Sequence, residues 1–185
     1  MSHLESRLLL LAGSCEDHES GESTVMEMLV STSPDWLLTI ARFVIGVIFF
    51  AHGAQKMLGW YGGQGFRATM QGLTGQLRIP APLAALVIST EFFGGLGLIV
   101  GLLSRIAALG ILLAMLGAIA MVHFRHGLFM DWHGNQKGHG IEYHLVVIVL
   151  ALVVIVKGAG AFSVDQFLYQ HYIEQTSARQ QMTRR

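Results

Sequence analysis

The chain has 185 residues, of which 52% are hydrophobic and only 13% are charged, and its formal net charge is zero. Soluble domains carry about 25% charged residues, so this composition predicts a membrane protein and gives no reason to expect a nucleic-acid partner. The single cysteine, Cys15, excludes an internal disulfide framework and a cysteine-based metal or thiol-relay site.

The N-terminal segment, residues 1–35, differs in composition from the rest of the chain. Its stretch CEDHESGESTVMEM is acidic, rich in serine and without an apolar period, which is typical of disordered chain. We therefore expect residues 1–35 to be a disordered or loosely attached acidic tail. Met26 or Met28 could equally be the translation start, so the sequence leaves open whether residues 1–25 belong to the native protein.

Four apolar runs follow, each of about the length that a membrane-spanning helix needs. The first is WLLTIARFVIGVIFFAHGAQKM from Trp36, and the second is LAALVISTEFFGGLGLIVGLL at 83–103. The third is RIAALGILLAMLGAIAMVHF at 105–124, and the fourth is EYHLVVIVLALVVIVKG at 142–158. The fourth is short and rich in β-branched residues, but beside three other runs a spanning helix is favoured over a buried strand. The predicted fold is all-α, an integral membrane four-helix bundle over 36–162 with both termini on the same side.

The segments outside the spans have their own patterns. The glycine-rich connection at 57–82 predicts an interfacial loop with a short amphipathic helix before Pro80. At 163–185, Ser163 and Gln166 form a capping-box pattern and apolar residues recur at helical spacing, which predicts an amphipathic interfacial helix and a basic C-terminal tail. Basic residues are divided almost equally between the two sides of the bundle, which leaves its orientation undecided.

Charged side chains interrupt the first two spans. Arg42, His52 and Lys56 fall on one face of the first span, within an arc of about 80°. Glu91 lies well inside the second span, where an ionised group costs on the order of 3 kcal/mol. Depth is measured here from the terminal side, which is the side of the bundle that holds both termini, at about 1.5 Å per residue. On this scale Arg42 lies at about 9 Å, Glu91 at about 18 Å and His52 at about 24 Å. Glu91 is therefore expected to face the bundle interior, within reach of His52 or Arg42.

Further polar residues gather at the non-terminal end of the bundle, because His123 ends the third span and Glu142 opens the fourth at the same level. Span-end residues such as Lys56 and Glu142 also commonly anchor a helix at the interface, so that alternative stays open. No catalytic residue is assigned. The candidate binding or polar-cavity residues are Arg42, His52, Gln55, Lys56, Glu91, His123, Glu142, Tyr143 and His144.

The loop at 123–144 holds five of the nine histidines, yet its spacing fixes no ligand geometry. We therefore predict no metal site and no covalently bound cofactor. The sequence also has no cysteine cluster, flavin motif or glycine-rich dinucleotide loop, so the chain is not expected to perform redox chemistry alone.

Glycines recur in the second and third spans, where small residues let helices approach closely. We expect them to form packing surfaces, with a GxxxG pair in the second span and two glycines seven residues apart in the third. They are Gly94, Gly95, Gly97 and Gly101, then Gly110 and Gly117.

Three stretches of the chain form a recognisable set: ARFVIGVIFFAHGAQKMLGW, STEFFGGLGLIVGLLSRIAALG and VHFRHGLFMDWHGNQKGHGIEYHLVVIVLAL, followed by GAGAFSVD. Together they closely resemble the DoxX family of small bacterial four-helix membrane proteins. The resemblance covers residues 36 to about 168 and includes the HG-x-QK end of the first span and the glutamate of the second.

The resemblance implies a multi-pass protein of the bacterial inner membrane. The family is named for its likeness to a subunit of a thiosulfate:quinone oxidoreductase, and some members are thought to join membrane redox complexes. Three histidines, His126, His133 and His139, lie outside the shared pattern. The family's polar positions fall here on Arg42, His52, Gln55, Lys56, Glu91, Arg105, His123, Glu142 and Tyr143.

These observations predict a membrane subunit of a quinone-linked oxidoreductase system. His52, Lys56 and Glu91 would hydrogen-bond the carbonyl groups of a quinone and deliver protons. The expected partners are the lipid bilayer, redox partner subunits and a second copy in a homodimer. Two alternatives stay open: a transporter or small-molecule-binding membrane protein that uses the same cavity, and a non-catalytic membrane scaffold.

Overall fold

The computed structural model describes residues 28–134 and 138–183. Within these ranges every regular element is helical, which confirms the predicted all-α class. The expected tail at 1–27 lies outside the described residues. The helices are α1 (Trp36–Met57), α2 (Gly65–Gln71), α3 (Ala81–Val100), α4 (Ser104–His126), α5 (Glu142–Lys157) and α6 (Val164–Thr183).

Four of these helices, α1, α3, α4 and α5, form the bundle. Among the described residues, α1, α3 and α4 are long and apolar enough to cross a membrane. The fourth helix, α5, has 16 residues and so extends about 24 Å, which is somewhat short of a typical span. It packs along α4 and α1. The outer faces of the bundle carry exposed apolar side chains, such as Phe43, Leu113 and Val149, that suit contact with lipid.

The buried core lies where α1, α4 and α5 meet, with one contribution from α3. Because lipid is as apolar as this core, the bundle is stabilised by close packing rather than by removal of these side chains from water. The core residues are Leu38, Ile45 and Phe49 of α1, Leu98 of α3, Ala108, Ile111 and Met115 of α4, and Val147, Ala151 and Val154 of α5.

Glycines bring the backbones of α1 and α3 into direct contact. A Cβ atom added to Gly46 would lie 2.7 Å from the backbone nitrogen of Ile99, and one added to Gly95 would collide with the backbone of Phe50. Gly53 is packed equally tightly against α3. Gly95 is one of the packing glycines predicted from the sequence, whereas Gly46 and Gly53 belong to the first span, where the prediction named none.

The predicted GxxxG pair makes only a loose contact between helices: a Cβ on Gly97 would lie 3.8 Å from the Cβ of Ala107 in α4, and one on Gly101 would meet Ser163. Gly101 adopts a left-handed conformation, with φ at +73°, and ends α3. A Cβ on Gly97 would face the carbonyl oxygen of Leu102 in the turn that follows. In α4, Gly110 packs against the side chain of Thr90, while a Cβ on Gly117 would have no neighbour within 4 Å. Gly101 therefore allows the turn that ends α3, whereas Gly117 lies beside open space.

Both α3 and α4 contain one π-helical turn, at Thr90–Gly94 and at Ile119–His123. Single π turns inside α-helices are rare and often lie at functional sites. Here one of them carries Glu91 and the other carries His123, so the two candidate polar residues occupy the two irregular turns of the bundle.

The connections follow the sequence-based expectations in outline. Before Pro80, the short helix α2 continues into a π turn at Gly72–Gln76, where a short helix is predicted. After α5, the hydroxyl oxygen of Ser163 accepts a hydrogen bond of 3.1 Å from the backbone N–H of Gln166, which is half of the predicted capping box.

Residues 28–35, which the sequence analysis places in the tail, contact the terminal end of the bundle. Val30 is buried, and the backbone N–H of Ser33 donates to the carbonyl oxygen of Lys157. The hydroxyl oxygen of Thr32 accepts a hydrogen bond of 2.7 Å from the backbone N–H of Gly160. These contacts attach the chain ahead of α1 to the end of α5.

The glycine contacts predict opposite effects for two matched substitutions. Gly95→Ala forces a methyl group against the α1 backbone and should lower the free energy of unfolding by about 1–3 kcal/mol. Gly117→Ala meets no neighbour and should leave it unchanged or raise it by up to about 1 kcal/mol. Thermal unfolding of both variants in the same detergent measures this difference. Equal losses for both would contradict the assigned α1–α3 contact.

Candidate functional site: a polar cavity between the helices

An ion pair joins α1 and α3 inside the bundle. The Nζ atom of Lys56 lies 2.5 Å from both carboxylate oxygens of Glu91. Glu91 is 4% exposed, whereas the Lys56 side chain is 37% exposed and reaches the pair from the mouth of the bundle. A buried carboxylate needs such a partner because its loss of hydration is otherwise uncompensated. The partner of Glu91 is thus Lys56, not the expected His52 or Arg42.

The direction of side chains along a helix explains this pairing. Side chains in an α-helix lean towards the N-terminus of their own helix. Lys56 therefore leans back into the bundle from the end of α1, while Glu91 leans towards the mouth, where α3 begins. The two groups approach each other although their Cα atoms lie at different depths.

The ion pair lines a cavity of about 390 Å³, called the polar cavity here, at the non-terminal end of the bundle. This end of the bundle is its mouth. Side chains of all four bundle helices contribute to its wall, together with two residues of the loop between α4 and α5. Six of the nine candidate residues lie here: His52, Lys56, Glu91, His123, Tyr143 and His144. The other lining residues are Phe49, Met115, Ala118, Met130 and His139.

Two histidine rings of the cavity are in contact, tilted by 44° relative to each other. The ring centroids of His123 and His144 are 4.2 Å apart. The Nδ1 atom of His123 lies 2.8 Å from the carbonyl oxygen of His139. A carbonyl oxygen only accepts, so Nδ1 carries the proton and the Nε2 atom of neutral His123 is an acceptor.

Apart from the Glu91 oxygen that contacts the Lys56 ammonium group, two buried polar atoms of the cavity wall have no hydrogen-bond partner among the described residues. They are the Nδ1 atom of His144 and the hydroxyl oxygen of Tyr143. His144 is 6% exposed, so bulk water does not surround it. Buried polar atoms are almost always hydrogen-bonded. These two therefore suit a polar molecule held inside the cavity.

Gln55 and Glu142 lie outside the cavity lining and position its parts. The side-chain oxygen of Gln55 accepts from the Nδ1 atom of His52 at 3.2 Å, and its amide nitrogen donates to the carbonyl oxygen of Tyr61. Gln55 thus orients His52 and ties the end of α1 to the next turn. Glu142 accepts a hydrogen bond of 3.1 Å from the backbone N–H of Met130. This contact holds the loop that carries Met130 at the cavity.

Arg42 lies at the other end of the bundle. It is 1% exposed, and its guanidinium group donates to the carbonyl oxygens of Leu98, Ile99, Ala159 and Phe162. Two of these acceptors are in the last turn of α3, where carbonyl groups lack helical partners. The side chain leans towards the start of α1, away from the cavity. Arg42 therefore joins α1, α3 and the chain after α5, and it does not belong to the cavity.

Asp165 is a buried charge that sequence reasoning missed. It is 1% exposed, and its two carboxylate oxygens accept hydrogen bonds of 2.8 and 2.9 Å from the backbone N–H groups of Leu103 and Ser104. A carboxylate at a helix N-terminus is stabilised by those donors and by the helix dipole. Asp165 thus caps α4 from the start of α6. In the sequence, only the neighbouring Ser163 and Gln166 indicated a cap, and that cap belongs to α6 itself.

Arg105, which falls on one of the family's polar positions, forms hydrogen bonds that join parts of the bundle. Its guanidinium group donates to the carbonyl oxygens of Ile155 and Ser31, the latter at 2.9 Å. It therefore connects the start of α4 to the end of α5 and to the chain ahead of α1. The terminal end of the bundle is thus held by side chains whose partners are backbone groups.

Four apolar helices around a buried ion pair define a helical membrane protein with an internal polar cavity. In the comparison with known proteins, the DoxX family model matches residues 37–124, from α1 into the last turns of α4. This match confirms, over those residues, the resemblance to the DoxX family seen in the sequence. It is also 27% identical over 131 residues to the "Putative oxidoreductase CatD" of Bacillus subtilis (strain 168), covering 71% of this chain and 86% of that protein. No solved structure matches the chain.

The ion pair predicts a specific pattern of coupling between two substitutions. Lys56→Met leaves the Glu91 carboxylate buried without its partner and should lower the free energy of unfolding by on the order of 2 kcal/mol. Adding Glu91→Leu removes the unpaired charge and should restore at least half of that loss. Unfolding of the two single variants and the double variant in one detergent tests this. Losses that simply add would contradict a direct interaction.

Proposed function

We propose that the polar cavity binds the head group of a quinone, and that the protein is a membrane subunit of a quinone-linked oxidoreductase system in the bacterial inner membrane. One observation carries this proposal. The buried ion pair of Lys56 and Glu91 lies in one cavity with the unpartnered polar atoms of His144 and Tyr143, between helices that face lipid.

The donors in the cavity suit the chemistry of a quinone. A quinone ring is apolar on its faces and carries two carbonyl oxygens that accept hydrogen bonds. The ammonium group of Lys56 and the hydroxyl group of Tyr143 are donors, while Phe49 and Met115 supply apolar contacts in the same cavity. A cation near a carbonyl oxygen also stabilises the negative charge that develops there when the ring accepts electrons.

Reduction of a quinone to a quinol takes up two electrons and two protons. In this proposal the electrons come from a redox partner subunit, since the sequence carries no motif for a flavin, a dinucleotide or an iron–sulfur cluster. The protons pass through groups of this chain. The rings of His144 and His123 are in contact in the cavity, and an imidazole ring can both donate and accept a proton.

The likeness to a protein named as a putative oxidoreductase supports a redox role. The resemblance to the DoxX family, which is named for its likeness to a subunit of a thiosulfate:quinone oxidoreductase, supports a quinone as the ligand. The two sources are independent of the cavity geometry. They favour a quinone over other small polar molecules that two hydrogen-bond donors and an apolar wall would also accept.

The proposal predicts saturable binding of menadione, a quinone head group without a long chain, to the purified protein in nanodiscs. His144→Phe preserves the aromatic volume but removes the ring nitrogens, and Lys56→Met removes the cationic donor. Each should weaken binding by about tenfold, because Lys56→Met removes the donor to a carbonyl oxygen and His144→Phe removes a buried ring nitrogen that a polar ligand would bind. Quenching of tryptophan fluorescence or isothermal calorimetry measures the affinity.

His171→Phe is the matched control, because His171 lies on α6, away from the cavity, and should bind menadione as the unaltered protein does. Absence of saturable binding to the unaltered protein would reject the proposal. Solute flux through proteoliposomes that Glu91→Gln abolishes, without menadione binding, would instead favour a transporter.

A further inference from the structure

We propose that a second cavity, between α3 and α4, holds the aliphatic chain of the quinone, so that the ligand enters the polar cavity sideways from the bilayer. This inference rests on the proposed function of the polar cavity. It adds where the rest of the molecule lies and how it reaches the site.

The second cavity, called the apolar cavity here, has a volume of about 330 Å³. Its walls are mainly side chains of α3 and α4, such as Leu83 and Leu86 on one side and Leu113 and Ala114 on the other. Leu73 and Leu77, from the segment before α3, also line it. Ligand cavities typically measure about 300–1,000 Å³, so this one has room for part of a chain but not for a folded domain or peptide.

The apolar cavity adjoins the polar one at the ion pair. Lys56, Glu91, Met115 and Ala118 line both cavities. A molecule that fills both would therefore have its polar part next to the histidines and its apolar part between α3 and α4. A ring with two carbonyl groups and a long hydrocarbon chain has this distribution of polarity.

Small residues of α4 create the opening. Gly110, Ala114, Gly117 and Ala118 lie on the face of α4 that borders the apolar cavity. In a packed membrane bundle such a face normally meets the neighbouring helix closely. Here a Cβ atom on Gly117 would have no neighbour within 4 Å. An empty space of this kind forfeits dispersion contacts along its walls, so a hydrocarbon chain that fills it is stabilised.

The ion pair also fits a position at the junction. Its charged groups make the passage from the apolar cavity unfavourable for a purely hydrocarbon molecule. A molecule whose head accepts hydrogen bonds from Lys56 compensates that cost. The arrangement therefore selects a chain with a polar head over an ordinary lipid tail.

Filling the apolar cavity separates the two contributions experimentally. Gly117→Leu adds a branched side chain to the wall of this cavity at a position where a Cβ atom meets no neighbour within 4 Å. We compare menadione with phylloquinone, which has the same ring and a phytyl chain. In nanodiscs, Gly117→Leu should weaken phylloquinone binding by about tenfold or more, because several methylene groups lose their contacts. Menadione binding should change by less than about twofold, because the polar cavity is untouched.

Two further variants complete the test. Ala114→Leu fills the same cavity from another position and should reproduce the effect if Gly117→Leu does not fold. Ala120→Leu, on the same helix, is exposed and lines neither cavity, so it should leave both affinities unchanged.

The outcomes distinguish this inference from the proposed function. Menadione that binds normally while phylloquinone is insensitive to both filling variants would overturn the chain site and leave the head-group site standing. Equal weakening of both quinones would also overturn it, because the added side chain would then act on the polar cavity. Failure of the unaltered protein to bind menadione would reject the head-group site itself.

Discussion

The buried ion pair between Lys56 and Glu91 is the interaction on which the polar end of the bundle depends. A carboxylate surrounded by apolar helices is stable only if a cation compensates its lost hydration. The cation can reach it because Gly53 and Gly95 let α1 and α3 touch through their backbones. The ion pair therefore depends on the close packing of α1 against α3. Both cavities are lined by this ion pair.

The two ends of the bundle use buried charges in different ways. At the terminal end, Arg42, Arg105 and Asp165 bind backbone carbonyl and N–H groups, so their hydrogen-bonding capacity is spent on joining helices. At the mouth, the ring of His144 and the hydroxyl group of Tyr143 keep polar atoms that no described residue binds. The two ends therefore differ in what their buried polar groups bind, and the proposed ligand site lies at the end where polar atoms are left without a partner.

The sequence predicted the helices and most of the cavity, because apolar length and the cost of a buried charge are readable from a single chain. Arg42 was misplaced since depth alone was used, whereas the lean of a side chain towards its own helix N-terminus separates it from Glu91. Asp165 was missed because its partners lie about sixty residues away. The apolar cavity was not predicted, because small residues on α4 are also typical of a helix-packing surface. Whether they pack closely or border a cavity depends on the position of the neighbouring helix.

The π turn at the end of α4 has a consequence for how such a site varies among related chains. A π turn holds one residue more than an α-helical turn, so the segments before and after it are rotated out of phase by about 100°. The first part of α4 thus turns its small residues to α3, while His123 turns to α5. Insertion or loss of one residue here would rotate every side chain in the last turn of α4 to a new direction. Changes in chain length at this point would redirect the site more drastically than any single substitution in its wall.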